Sequence, residues 1–100
     1  MKYSVLIVDD EKPARELIKM KLDWEKLGFE IIDEARDGEE ALVLYKEKKH
    51  KVVITDLQMP VMGGLELIKQ IKKINKDQPI VILSCHENFA FAKCEILMAT

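Results

Sequence analysis

Val5-Leu6-Ile7-Val8-Asp9-Asp10-Glu11 decides how the chain is read: four apolar residues of strong strand preference, stopped at once by three acids. The same pattern returns at Val52-Val53-Ile54-Thr55-Asp56 and at Ile80-Val81-Ile82-Leu83-Ser84. Runs that are apolar throughout, rather than alternating, belong to strands buried on both faces, as in parallel sheets. Between them lie amphipathic stretches. Pro13 sits where a first helical turn tolerates it, and Ala14, Leu17, Ile18 and Leu22 follow at helical spacing. Trp24, Leu27 and Phe29 surround Gly28, a turn, and Ile31-Ile32 form a second strand ending near Ala35. Asp37-Gly38 opens a helix with Ala41, Leu42, Leu44 and Tyr45 inward and a Lys/Glu-rich outer face reaching His50. A loop with Pro60 and Gly63-Gly64 leads to a helix carrying Leu67, Ile68, Ile71 and Ile74 on one side. Phe89 to Thr100 reads as a fourth helix, with Phe89, Ala92, Ile96 and Leu97 roughly on one face. Strand–helix alternation repeated four times specifies an α/β fold, a doubly wound parallel sheet with right-handed crossovers.

One hundred residues, 48% hydrophobic and 34% charged, make a single domain over residues 1–100. A net charge of −2 gives no basic field for nucleic acid or an anionic membrane surface. Apolar runs such as Val5–Val8 and Ile80–Leu83 are four residues long, far short of the ~20 that span a bilayer. No small-residue cleavage site follows Met1-Lys2-Tyr3-Ser4, so no signal peptide is read and a cytoplasmic location is expected. Cys85 and Cys94 make no disulfide framework and read as two reduced thiols.

In open α/β sheets, ligands bind beyond the carboxyl ends of the strands, where strand order reverses. The first strand delivers Asp9, Asp10 and Glu11 to that edge, the third Asp56 and the fourth Ser84. Carboxylates crowded together repel and raise one another's pKa unless a cation is present. Oxygen ligands of this kind suit Mg²⁺, and a carboxylate beside such a metal can act as a nucleophile. Acids at strand ends also serve as helix caps, and Asp37 is read as one. His50 follows Lys48-Lys49 at a solvated helix end with no chemistry assigned, and Met59, Met62 and Met98 read as packing residues. His86 and Glu87 are too few ligands for a zinc site.

The stretches Val5 to Glu11, Thr55-Asp56-Leu57-Gln58-Met59-Pro60 and Ile82-Leu83-Ser84 resemble the successive motifs of bacterial response-regulator receiver domains. Asp23-Trp24 to Leu27-Gly28-Phe29 is similar to receivers of the AraC-type, YesN-like transcriptional regulators. The resemblance implies a flavodoxin-like (βα)5 fold, truncated here to about (βα)4, in a phosphorelay protein of a two-component system rather than a turnover enzyme. Asp56 would accept a phosphoryl group from a sensor histidine kinase. Asp10, with Asp56 and the backbone carbonyl of Gln58, would hold Mg²⁺, and Asp9 would contribute directly or through water. Ser84 would be the switch hydroxyl that turns to a phosphoryl oxygen, while Gln58 and His86 occupy the positions that tune phosphoaspartate hydrolysis. DNA would be met only through a downstream output domain outside these residues.

The sequence departs from that family in two places. Gly63 stands where an acid usually precedes Gly64, a change worth only a few tenths of a kcal/mol at a helix cap. The chain ends at Thr100, before the family's fifth strand with its Lys-Pro pair and the fifth helix, and Lys93 does not match the lysine. The strand Ile80 to Leu83 is therefore expected to be an exposed edge through which chains self-associate. The alternative function is a truncated receiver that only binds a protein partner, without competent phosphorylation switching. An aspartyl phosphatase or a dinucleotide-binding domain would need motifs after the first strand that Asp9-Asp10-Glu11-Lys12-Pro13 does not supply.

Overall fold

The structure, a computed structural model, describes residues 2–56, 62–88 and 91–99, with side chains described through residue 82. In chain order the elements are β1 (Tyr3–Val8), α1 (Lys12–Lys21), β2 (Phe29–Ala35), α2 (Gly38–Lys48), β3 (Val52–Thr55), α3 (Gly64–Ile74), β4 (Ile80–Asn88) and β5 (Phe91–Ala99). They form one five-stranded sheet in the order β2-β1-β3-β4-β5. The first four strands are parallel. The chain leaves β1 toward β2 on one side and returns past it to β3 on the other, so order reverses between β1 and β3. That reversal opens the crevice in which such sheets bind ligands.

β1 shows why the run Val5–Val8 carries no polar residue. Leu6 and Val8 face α2 and α3, in a cluster with Ala35, Ala41, Tyr45, Val53, Leu67, Ile71 and Ile80. Val5 and Ile7 face the opposite side with Ile18 and Ile54, and Trp24, Phe29 and Ile31 pack against them. α1 buries only Ile18, while Leu17 and Leu22 remain exposed. The turn read at Gly28 is present: its φ is +86°, and its N–H donates to the Glu25 carbonyl at 3.1 Å. Asp37 caps α2 as expected, its carboxylate accepting from the Glu40 N–H at 2.8 Å. Gly63 caps α3 with backbone alone.

The last element differs from the sequence expectation. Residues Phe91–Ala99 are a strand, antiparallel to β4, rather than a fourth helix. β4 is correspondingly longer than the four-residue apolar run and continues to Asn88. The exposed β4 edge expected to drive self-association is therefore absent, because β4 lies between β3 and β5. The physical reason is that a sheet edge presents unpaired N–H and C=O groups, and the adjacent segment satisfies them by pairing locally.

His50 also departs from expectation. It is buried rather than solvated, its Nε2–H donating to Asp33 Oδ2 at 2.6 Å. Nearby, the Tyr45 hydroxyl donates to Gln78 Oε1 at 2.7 Å, and Gln78 Nε2 donates to the Lys51 carbonyl at 3.0 Å. The Tyr45 and Gln78 bonds fasten the end of α2 to the segments leading into β3 and β4, and the His50 bond fastens it to β2.

Gly38 is required for close approach rather than for an unusual φ. A Cβ there would lie 2.6 Å from the Met62 carbonyl oxygen and 2.7 Å from Met62 Cγ, whereas one on Gly28 would meet nothing within 4 Å. Gly38→Ala is expected to lower stability by about 1–3 kcal/mol through overpacking. Gly28→Ala is expected to cost ~1 kcal/mol from its left-handed φ alone. Urea unfolding of the two variants checks the order, and equal costs would contradict the close approach at Gly38.

Candidate functional site

The acids placed at the strand ends by the sequence meet in space. β1 ends at Val8, so Asp9 and Asp10 fall at its carboxyl end; β3 ends at Thr55, so Asp56 falls beside them. The Asp56 N–H donates to the Val8 carbonyl at 3.1 Å, fixing the two strand ends together. Carboxylate oxygens of Asp9, Asp10 and Asp56 all lie within 4.8 Å of one another. Asp10 is exposed, Asp56 half-buried and Asp9 buried.

Asp9 is held on three sides. Its N–H donates to the Ala35 carbonyl at 3.0 Å, its Oδ1 accepts from the Glu11 N–H at 3.0 Å, and its carbonyl accepts from Arg15 Nη1 at 2.7 Å. Burial pushes its carboxyl up to about 6; the Glu11 N–H opposes that shift, and the charges of Asp56 and Asp10 add to it. A carboxylate in this state gains from any cation that compensates its charge. The donor set is all hard oxygen, and three carboxylates from two strand ends, open to solvent at Asp10, fit a small divalent ion that keeps water ligands. An arrangement of this kind can place an oxygen nucleophile next to a cation.

Of the other expected site residues, Gln58 lies outside the described residues. Ser84 is described by its backbone only. β3 and β4 last pair at Thr55–Ile82, so Ser84 lies two residues beyond that point, on the edge that carries Asp56. It sits inside β4 rather than at its end, in register with Glu95. No local spacing signals the contact of Arg15, because its partner Glu34 is nineteen residues away.

A family model described as the response regulator receiver domain matches residues 5–99. The chain belongs to the receiver family. This receiver is 36% identical over 91 residues to the uncharacterized transcriptional regulatory protein YesN of Bacillus subtilis, covering 91% of this chain and 25% of YesN. It superposes on the REC domain of AraT, a response regulator from Geobacillus stearothermophilus, with a TM-score of 0.81 and 36% identity, over 91% of this chain and 70% of that one. It also matches a chain of the CheX–CheY–BeF3–Mg²⁺ complex from Borrelia burgdorferi, with a TM-score of 0.74 and 33% identity, over 82% of this chain and 61% of that one. The receiver spans 25–37% of the length of the curated relatives YesN and a Staphylococcus epidermidis response regulatory protein. The flavodoxin-like order of the four parallel strands agrees with these matches. Among the described residues, no helix is long and apolar enough to cross a membrane.

The raised Asp9 carboxyl has a signed consequence. An acid that titrates higher in the folded chain than its ordinary 3.8 costs stability once ionised, so stability falls as pH rises from 3.8 toward about 6 and levels off above it. Asp33 and Glu34 act oppositely. Burial pushes both up, but His50 and Lys48 on Asp33, and Lys19 and Arg15 on Glu34, outweigh it and leave both lowered. Their contribution is lost only as pH falls below their ordinary values of 3.8 and 4.5. The metal-free receiver is therefore expected to be most stable at about pH 4–5 and to lose roughly 1 kcal/mol between pH 5 and pH 7. Asp9→Asn is expected to flatten that slope and to stabilise the metal-free chain at pH 7. Urea midpoints at pH 5 and pH 7 decide it, and a parent chain more stable at pH 7 would contradict the assignment.

Proposed function

We propose that this receiver is the phosphoacceptor module of a two-component response regulator, with Asp56 as the residue phosphorylated by a sensor histidine kinase. The observation that carries the reading is the meeting of the Asp9, Asp10 and Asp56 carboxylates within 4.8 Å at the crevice where strand order reverses. An Asp56 carboxylate oxygen attacks phosphorus, the P–N bond of the kinase phosphohistidine breaks, and its electron pair returns to the imidazole. The product is an acyl phosphate on Asp56. Asp10, Asp56 and the Gln58 backbone carbonyl would hold Mg²⁺, with Asp9 bound directly or through water. The ion would neutralise charge on the transferring oxygens, which is most of what such a site must supply.

The protein's own groups do the rest. Asp56 is fixed by its N–H bond to Val8, which aims its side chain from a rigid strand end into the crevice. Asp9 is kept desolvated by its burial and by three backbone ties, so the pocket favours a cation over an empty state. Ser84 would turn its hydroxyl to a phosphoryl oxygen and report the modification along β4. Residues 1–100 would then serve as the receiver unit of a longer cytoplasmic regulator whose output domain binds DNA, in keeping with the transcriptional regulators among its relatives.

Intact mass spectrometry after incubation with Mg²⁺ and a small acyl phosphate tests the reading. One added phosphoryl group is expected on the parent and none on Asp56→Asn or in the presence of a chelator. No addition to a parent chain that circular dichroism shows to be folded would overturn phosphoacceptor function and leave a protein-binding module.

A further inference from the structure

We infer that Arg15 is a positioning residue for the cation site: braced by Glu34, its guanidinium fixes the Asp9 carbonyl and thereby the aim of the Asp10 carboxylate. The inference rests on the site reading above and deepens it. Arg15 lies in the first turns of α1, outside the acid cluster, yet its Nη1 donates to the Asp9 carbonyl at 2.7 Å. Its Nε donates to Glu34 Oε1 at 3.1 Å, and its side chain is only 12% exposed. Glu34 is itself tied by Oε2 to Lys19 Nζ at 3.0 Å, and Lys19 to Glu16 at 2.9 Å. The guanidinium is thus held from one side by β2 and presented to the end of β1 on the other.

What that bond controls follows from peptide geometry. The Asp9 carbonyl and the Asp10 N–H share one rigid plane that also contains the Asp10 Cα. With the Asp9 N–H already bonded to Ala35, fixing the carbonyl removes the remaining freedom of that plane, and the Asp10 side chain starts from a set direction. Asp10 is the exposed member of the cluster and has the most freedom to lose. Second contacts that orient a metal's ligands are worth about 10–100-fold in affinity.

A bulge in β2 makes the brace possible. Val5 pairs with Ile31 but Leu6 with Asp33, so Ile32 is an extra residue in the ladder. Beyond it the parity of β2 is reversed: Glu34 pairs with Ile7 and shares its side of the sheet, where α1 lies. Without the extra residue the same strand would turn Asp33 toward Arg15 and Glu34 away.

Charge and geometry predict opposite results for removal of the guanidinium, which makes the inference testable. A positive group near the cluster disfavours a cation, so loss of charge alone would tighten Mg²⁺ binding. Loss of positioning would weaken it. Mg²⁺ affinity is measured by titration calorimetry on the parent, Arg15→Met, Arg15→Lys and Glu34→Gln, with thermal unfolding in parallel. Arg15→Met is expected to weaken Mg²⁺ about tenfold or more, and Glu34→Gln by a smaller factor. Arg15→Lys is expected to recover stability through its ion pair with Glu34 without recovering affinity, since one ammonium cannot reproduce the planar fork that serves both partners. Folded Arg15 variants that bind Mg²⁺ as tightly as the parent, or tighter, would reduce Arg15 to a clamp between α1 and β2 and overturn the inference alone. A parent that binds no Mg²⁺ would overturn the site reading itself, and this inference with it.

Discussion

A buried carboxylate at the end of a buried strand is the constraint on which this structure depends. Asp9 is 3% exposed, with two further carboxylates within 4.8 Å. Taking it out of water is unfavourable, and its neighbours add repulsion, which together push its carboxyl to about 6. Nothing in the packing of β1 requires an acid there; Val5 to Val8 already fill both faces. The surrounding bonds hold the unfavourable arrangement in place. Ala35 accepts from the Asp9 backbone, Glu11 donates to its side chain and Arg15 donates to its carbonyl. An acid cluster that is costly without a counter-charge and is fixed by its scaffold suits a cation that would relieve it.

The bulge at Ile32 divides the neighbouring charges between the two faces of the sheet. Asp33 turns toward α2, where it meets His50 and Lys48 at 2.6 and 3.1 Å. Glu34 turns toward α1, where it meets Arg15 and Lys19. Two consecutive acids on an edge strand thus clamp two helices on opposite sides. These pairs are partly desolvated, with Arg15 12% and Asp33 14% exposed, so they are screened less than ordinary surface pairs. Ile32, the inserted residue, is left exposed. The arrangement keeps β2 an edge strand bearing charge, a form that discourages pairing with other chains.

How much of this was legible depended on how local the cause was. Val5–Val8 followed by acids, Pro13 in the first turn of α1, the Asp37 cap and the Gly28 turn are decided within a few residues, and all are found. The convergence of Asp9, Asp10 and Asp56 was legible too, because parallel strands deliver their carboxyl ends to one edge. The contacts of Arg15, the burial of His50 and the bulge at Ile32 were not. Each depends on a residue of β2 reached across the fold, and a histidine after Lys48-Lys49 carries no local sign that Asp33 waits for it. Gly38 is similar: only its approach to Met62 shows why a side chain there is excluded.

The segment after β4 shows a different limit, since its pattern admits two periods. Phe89, Ala92, Ile96 and Leu97 fit a helical face, yet Phe91 to Ala99 runs as a strand. Helical hydrogen bonds within that segment would leave the outer edge of β4 unpaired, whereas the antiparallel ladder from Ile80–Ala99 to Asn88–Phe91 satisfies both segments at once. Antiparallel pairing also closes locally, with little loop entropy to offset. The ladder bears on Ser84 as well. Rotating a hydroxyl costs one side-chain torsion and leaves the strand intact. Drawing the following backbone toward Asp56 would have to break the pairs from Cys85–Cys94 outward, a far larger cost. In this arrangement the fold separates the two motions, and a signal that Ser84 carried as the proposed switch hydroxyl would travel along β4 only as far as β5 lets it.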